Sequence, residues 1–323
     1  MPLFDQNTAL FLTLALLLDA AIGDPDWLWR RFAHSVVLIG RLIGWLDRRL
    51  NRGKRDAIKR AAGVTALAVL LGVTGATAIA LHWLFALHPL GLVAEIVLAA
   101  MLLAQRSLFD HVRRVHNAFR GGGLPSARQA VSMIVGRNPD ALDEAGVCRA
   151  AIETTAENFS DGVTAPAFWY LIAGLPGIVI YKAVNTADSM IGHRTPRHEA
   201  FGWAAARLDD VLNFVPARLS GLILVVAAAL TGADGKGAWQ AMWRDAGRHR
   251  SPNAGWPEAA MGGALGLALA GPRQYASGLV EDVWMNSGGN PDARPGDIAR
   301  ALQLFAAACA VQIVIIAILA TLR

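Results

Sequence analysis

Charge and cysteine are both scarce in this 323-residue chain. The two cysteines, Cys148 and Cys309, lie far apart with no CxxC or Cys/His spacing, which excludes a disulfide framework and a zinc site and leaves both as reduced core residues. No GxxxxGK[ST] loop is present and no GxGxxG follows a strand, so any nucleotide needs a site of another kind. The GxSxG elbow and the HExxH helix are missing as well, which argues against the common hydrolases. Long alternating apolar and polar runs, internal repeats and low-complexity tails are also absent, and the expected fold is all-α. Apolar sequence is what remains. A hydrophobic content of 54% against 17% charged residues, with a mean hydropathy of +0.38, places the chain among polytopic integral membrane proteins.

A membrane helix needs about 20 mostly apolar residues. Residues 61–86, 88–104, 216–231 and 302–320 meet that requirement, with 8–22 as a shorter N-terminal run, so about four to five transmembrane helices are expected. Residues 162–180 and 259–270 are apolar but broken by Pro and Gly, which suits a re-entrant or protein-buried segment as well as a simple span. The first run follows Asp5 and no basic residue, so it lacks the charged start of a signal peptide and is expected to be retained.

Residues 41–60 hold Arg41, Arg48, Arg49, Arg52, Lys54, Arg55, Lys59 and Arg60 against only Asp47 and Asp56. The positive-inside rule puts this loop in the cytoplasm. The link at residues 82–89 has no Lys or Arg and falls outside, and the next helix returns to the basic run 106–114. A net charge of +5 and a pI near 9.7 invite a nucleic-acid partner, but the cations flank apolar spans and no nucleic-acid signature accompanies them. The expected partner is the lipid bilayer. Residues 106–160 read as a cytoplasmic helical insert: Leu108, Val112, Val115 and Phe119 keep a helical rhythm, and Gly121 to Pro125 stops it.

Residues 153–218 form a polar block inside otherwise apolar sequence. Ionisable groups at membrane depth cost roughly 2.5 to 3.5 kcal/mol each, so a cluster of them points to a site. Glu153, Glu157 and Asp161 stand at i, i+4 and i+8, which on a continuous helix aligns three mutually repelling carboxylates, a solvated acidic face or a Mg²⁺ site. Lys182, Asn185 and Ser189 follow at i, i+3 and i+7, with Thr186 and Asp188 beside them. A cation, an amide and a hydroxyl on one face suit a phosphate or carboxylate oxygen, although a lysine ending an apolar run also snorkels. Arg207, Asp210 and Asn213 fall at i, i+3 and i+6, and Asp209 meets Asn213 at i+4. They form either a metal–phosphate site or an intrahelical Arg207–Asp210 ion pair. A second patch, residues 244–258, is an interfacial loop anchored by Trp243 and Trp256 or a substrate-contacting one. His34, near Asp19 and Asp24, is a structural histidine or a substrate contact.

On these segments the chain resembles the CbiB/CobD family of membrane proteins of cobalamin biosynthesis. The resemblance rests on Glu153-Thr-Thr-Ala-Glu157-Asn158 through Pro166, on Tyr181-Lys182-Ala-Val-Asn185-Thr186-Ala-Asp188-Ser189-Met190, and on Arg207-Leu-Asp209-Asp210 through Asn213, Pro216 and Arg218. It extends to Ser251-Pro-Asn253-Ala-Gly255-Trp256-Pro257-Glu258, to Gly23-Asp24-Pro25 and to His34 with Gly40-Arg41. Where the family usually has His-Pro-Val, this chain has His34-Ser35-Val36.

The resemblance implies an inner-membrane, multi-pass enzyme of late vitamin B12 synthesis with its active site facing the cytoplasm. It would join the f-side-chain carboxylate of (adenosyl)cobyric acid to 1-amino-2-propanol or its O-phosphate, with ATP, giving cobinamide or its phosphate. Other late-pathway enzymes are implied as partners. A carboxylate and an amine at neutral pH form a salt, so the acid needs activation, most simply as an acyl phosphate made from ATP. Mg²⁺ and cations are then required. On this reading Glu153, Glu157, Asp161, Asp209 and Asp210 are candidate Mg²⁺ ligands, and Lys182, Arg207 and Arg218 neutralise phosphate or transition-state charge. Glu153, Glu157, Lys182, Asp188, Arg207 and Asp210 form the catalytic set, with Asp188 taking the proton from the attacking ammonium. Asn158, Asn185, Ser189, Asn213, Arg218, His34, Asn253 and Glu258 contact substrate.

Three other classes compete. A transporter also places charge beside broken helices, but predicts inverted repeats. A Mg²⁺-dependent intramembrane prenyltransferase would use the Asp209-Asp210 pair on a diphosphate and need no ATP. A scaffold tethering soluble corrinoid enzymes would tolerate loss of the polar block.

Overall fold

The computed structural model describes residues 7–23, 35–135, 139–193, 195–275, 278–280 and 282–322. Its helices are α1 Thr8–Ile22, α2 Ser35–Leu50, α3 Asp56–Ala86, α4 Pro89–Ala100, α5 Gln105–Val131 and α6 Glu144–Phe159. They continue as α7 Ala165–Ile191, α8 Trp203–Leu212, α9 Phe214–Thr231, α10 Gly235–Asp245, α11 Gly255–Leu265 and α12 Pro295–Thr321. Among the described residues they are joined by short 3-10 turns and by two short antiparallel ribbons, Leu269–Ala270 with Trp284–Met285 and Arg273–Tyr275 with Gly278–Val280. The fold is all-α. Five segments are long and apolar enough to cross a membrane: Asp56–Ala86, Pro89–Val131, Glu144–Ile191, Phe214–Thr231 and Pro295–Thr321.

The chain forms two compact units. The first comprises Met1–Ala104, Ala165–Asn213 and Ile316–Arg323; the second comprises Gln105–Thr164 and Phe214–Ile315. In the first, α2 and α3 bury Ile39, Ile43, Leu46, Ala66 and Leu70 against Ala183, Ala187 and Ile191 of α7. Helix α3 runs on through His82 to Ala86, so the expected link at 82–89 shrinks to Leu87 and His88. His82 is consequently a helical residue, with its ring Nδ1 3.2 and 3.3 Å from the carboxylate oxygens of Glu95, and the Tyr170 hydroxyl lies 3.5 Å from the same carboxylate.

The broken apolar run at 162–180 is helical on both sides of a kink. Ser160–Thr164 forms a π turn, and α7 bends at Ala173 and Gly174, where Gly174 takes φ +59, a value glycine adopts without a Cβ penalty. Pro176 stands two residues further on and cannot donate to the preceding turn. The most apolar stretch of this segment is 61% buried within the protein, as a broken helix requires if its freed backbone groups are to find partners.

In the second unit α5 keeps Leu108, Val112 and Val115 buried, and its backbone departs from helical geometry at Gly122 and Gly123, inside the expected stop. Asp143 caps α6 by accepting from the Gly146 N–H at 2.7 Å. Cys148 and Cys309 are buried free thiols of this unit's core. Helix α10 doubles back along α9. A Cβ on Gly235 would stand 3.1 Å from Ala229 Cβ, and one on Gly221 would stand 2.7 Å from Met242 Sδ and 3.2 Å from the Trp256 carbonyl. Helix α11 is buried throughout its second and later turns, which places residues 259–265 among protein-buried apolar segments.

Candidate active site

Within the first unit the structure brings together Asn185 and Asp188 of α7 with Asp209, Asp210 and Asn213 at the end of α8. Asp209 is 8% exposed and Asn213 1%. The Asn213 side-chain amide donates to Asp209 Oδ2 at 2.9 Å, the i, i+4 pairing expected from the sequence, and the Asn185 amide approaches Oδ1 at 3.4 Å. The Tyr181 hydroxyl donates to Asn213 Oδ1 at 2.9 Å, fixing which face of the amide turns to Asp209. Trp169 Nε1 donates to the Leu212 carbonyl at 3.1 Å and holds the end of α8 against α7.

Burial first, then the charges of Asp188 and Asp210, raise the Asp209 carboxyl to about 7, against the hydrogen bonds from Asn213 and Asn185, which lower it. A carboxylate so placed takes up a proton or a cation readily. Lys182 is half-buried one turn before Asn185 and Thr186. Thr186 donates to the Lys182 carbonyl at 2.6 Å, and Ser189 donates to the Asn185 carbonyl at 2.9 Å. Arg207 forms the intrahelical ion pair with Asp210, 3.1 Å apart, with the arginine side chain 58% exposed.

Among the described residues no group of three or more His, Cys, Asp or Glu could by itself hold a metal ion. Mg²⁺ also binds through one or two carboxylates completed by substrate phosphates and water. The buried Asp209, with Asp188 and Asp210 raising its proton affinity, fits that second mode, because a cation would relieve the same repulsion.

The second unit holds the other candidates. Glu153 is 4% exposed, and its Oε1 accepts the Ala270 N–H at 2.9 Å. Ala270 has φ +60, the left-handed region, so the buried carboxylate secures a strained turn. Glu157 is exposed on α6, and Asn158 donates to the Thr154 carbonyl at 3.0 Å. Asp161 lies in the π turn, where the i→i+5 step changes its register relative to Glu153 and Glu157.

The patch at 244–258 folds onto the N-terminal end of α9. Ser251 Oγ accepts from the Asn253 and Ala254 N–H groups, and His249 Nδ1 accepts from the Ser251 N–H at 3.0 Å. Asn253 is 6% and Glu258 2% exposed, and His249 Nε2 stands 3.8 Å from Glu258 Oε2. Arg218 lies between two rings, its Cζ 3.5 Å from the Phe214 centroid and 4.5 Å from that of Trp256. Trp256 continues edge-to-face into Trp243 and Trp239. The return of α10 places this patch beside Arg218. His34 lies outside the described residues.

Sequence reasoning gave no role to Tyr181, although it opens the Tyr181-Lys182 motif, and passed over His82, Glu95 and Asp245. Asp245 is fully buried, bonded to Arg244 and to the Asn286 N–H. Burial acts to raise its carboxyl, but these bonds and the charges of Arg244 and Arg248 prevail and lower it. Polarity within apolar sequence was the available signal for His82 and Glu95.

Comparison with known proteins gives one consistent result. Residues 12–305 match the family described as CobD/Cbib protein. A Sinorhizobium sp protein named cobalamin biosynthesis protein CobD is 53% identical over 311 residues, 95% of this chain and 96% of its own. Proteins of the same name from Rhizobium meliloti and Rhodobacter capsulatus are 53% and 49% identical, over 94% and 98% of this chain and 94% and 99% of theirs. No solved structure matches the chain. With a match spanning nearly the whole length and relatives of this identity, the chain belongs to the CobD/Cbib protein family.

Proposed function

We propose that this protein acts in cobalamin biosynthesis as an ATP-dependent, amide-forming ligase of the inner membrane, with its active site facing the cytoplasm. It would join the f-side-chain carboxylate of (adenosyl)cobyric acid to 1-amino-2-propanol or its O-phosphate. The names of its relatives support the pathway. The observation that carries the chemistry is the buried Asp209, flanked by Asp188 and Asp210 and held by Asn185 and Asn213.

The carboxylate oxygen of the corrinoid attacks the γ-phosphorus of ATP, ADP leaves, and an acyl phosphate results. The amine nitrogen then attacks the acyl carbon, inorganic phosphate leaves, and a proton is lost from nitrogen. Bound Mg²⁺, held by Asp209 and Asp210, would neutralise phosphate charge. Lys182 places a positive charge beside the transferring group, and Arg207 does so if its exposed pair with Asp210 opens. Asp188 receives the proton from the ammonium nitrogen. Asn185, Ser189 and Asn213 orient substrate. In the second unit, Glu153, Glu157, Asp161, Asn158, Arg218, Asn253 and Glu258 keep their assignment as candidate metal or substrate contacts, with Glu153 also committed to Ala270. The transporter, prenyltransferase and scaffold readings gain no specific observation.

The test is an assay of purified Glu157→Ala, Lys182→Ala and Asp210→Ala proteins for cobyric acid consumption with ATP, Mg²⁺ and aminopropanol phosphate. Losses of at least about a hundred-fold are expected for Lys182→Ala and Asp210→Ala, in line with removal of a charge-stabilising group. Near wild-type turnover in all three would overturn the assignment.

A further inference from the structure

Helix α2 and the last turns of α7 enclose an open groove of about 530 Å³, lined by Val36, Val37, Gly40, Arg41, Gly44, Arg48, Thr186 and Met190. The groove exists because two α2 positions one turn apart are glycine; a Cβ on Gly40 would stand 3.3 Å from Met190 Sδ. Arg41 and Arg48 stand seven residues apart, two turns, and so share the groove face. Among the described residues neither guanidinium takes part in an ion pair. The nearby acid Asp47 does not line the groove and is taken by Arg197 at 2.6 Å, by Asn51 at 2.8 Å and by His198 at 3.5 Å.

Apart from Thr186, whose hydroxyl is taken by the Lys182 carbonyl, the rest of the lining is apolar. Val37 and Met190 are 47% and 40% exposed, and Trp45 on the same helix is 48% exposed with Arg49 over its ring. Exposed valine and tryptophan interleaved with arginine is the composition of a helix at the headgroup level of a bilayer. The membrane-length helix α3 begins six residues after α2 ends. A ligand that satisfies both halves of the lining carries phosphate at one end and hydrocarbon at the other.

We propose that this groove is a binding site for one anionic phospholipid, its phosphate between Arg41 and Arg48 and its acyl chains along Val36, Val37 and Met190. Its lining includes none of the carboxylates assigned to chemistry, although Thr186 and Met190 adjoin Asn185 and Ser189 on α7, and the lipid-retention test does not depend on that assignment. The test measures retention of dioleoyl-phosphatidylglycerol and of dioleoyl-phosphatidylcholine by the purified full-length protein, using native mass spectrometry, with inorganic phosphate as a competitor.

Wild-type protein is expected to retain the glycerol lipid at least tenfold over the choline lipid. Arg41→Gln/Arg48→Gln should remove that preference and bring the ratio of the two lipids to about one, since it is the two cations that favour the anionic headgroup. Met190→Trp, which fills the groove and keeps both charges, should reduce retention of either lipid, and it decides the matter if the double variant does not fold. Equal retention of the two lipids, an unchanged preference in the double variant, or full retention by Met190→Trp would overturn the proposal. Displacement by millimolar inorganic phosphate alone would assign the arginines to a soluble phosphate compound and also overturn it.

Discussion

Asp209 shows how far spacing reaches at the scale of a residue. Its bond to Asn213 was legible because i and i+4 meet on any helix. The tie from Asn213 on to Tyr181, thirty-two positions away in sequence, needed a helix crossing that no local pattern encodes. The folded protein binds a proton at Asp209 up to about pH 7, whereas the unfolded chain releases it near 3.8. That contribution to stability is therefore full at low pH and is lost as pH rises towards 7. In Mg²⁺-free buffer, Asp209→Asn should abolish this loss, seen as a flatter dependence of melting temperature on pH between 5 and 8. In the wild type, stabilisation by added Mg²⁺ should grow over the same interval, because proton and cation compete; a pH-independent Mg²⁺ effect would contradict this. The His82–Glu95 pair, with side chains 8% and 7% exposed, was invisible for the same reason as Tyr181. Glu95→Ala leaves His82 and Tyr170 without their buried acceptor and should cost roughly 3 kcal/mol in denaturant unfolding.

The helices themselves were largely legible at the scale of elements. The apolar runs at 8–22, 61–86, 216–231 and 302–320 each fall within a helix, since burial in lipid or protein demands the same continuous apolar sequence. The short ribbons were not, because two- and three-residue strands carry no alternation to read. Nor was the antiparallel return of α10, which depends on close approaches at glycine. Gly255 is one such position: a Cβ there would stand 2.4 Å from the Ala246 carbonyl and 2.7 Å from His249 Cβ. Gly255→Ala should therefore displace the start of α11 and destabilise by about 1 to 3 kcal/mol. If Asn253 and Glu258, which flank that start, contact substrate as proposed, substrate affinity should fall with it, which a KM measurement checks against a stability measurement on the same protein.

For the whole molecule, the cation-rich residues 41–60 predicted a cytoplasmic face, and the two native cysteines are buried. A new cysteine at Ser189, beside the proposed chemistry, should thus label against a low background, and only from the cytoplasmic side of sealed vesicles. The central claim concerns chemistry, and an isotope tests it most directly. Cobyric acid carrying ¹⁸O in its f carboxylate is incubated with the protein, ATP, Mg²⁺ and aminopropanol phosphate, and the released nucleotide and phosphate are analysed. One ADP and one ¹⁸O-labelled inorganic phosphate per amide are expected. Amide formed without ATP consumption, or label appearing in AMP, would contradict activation of the carboxylate as an acyl phosphate.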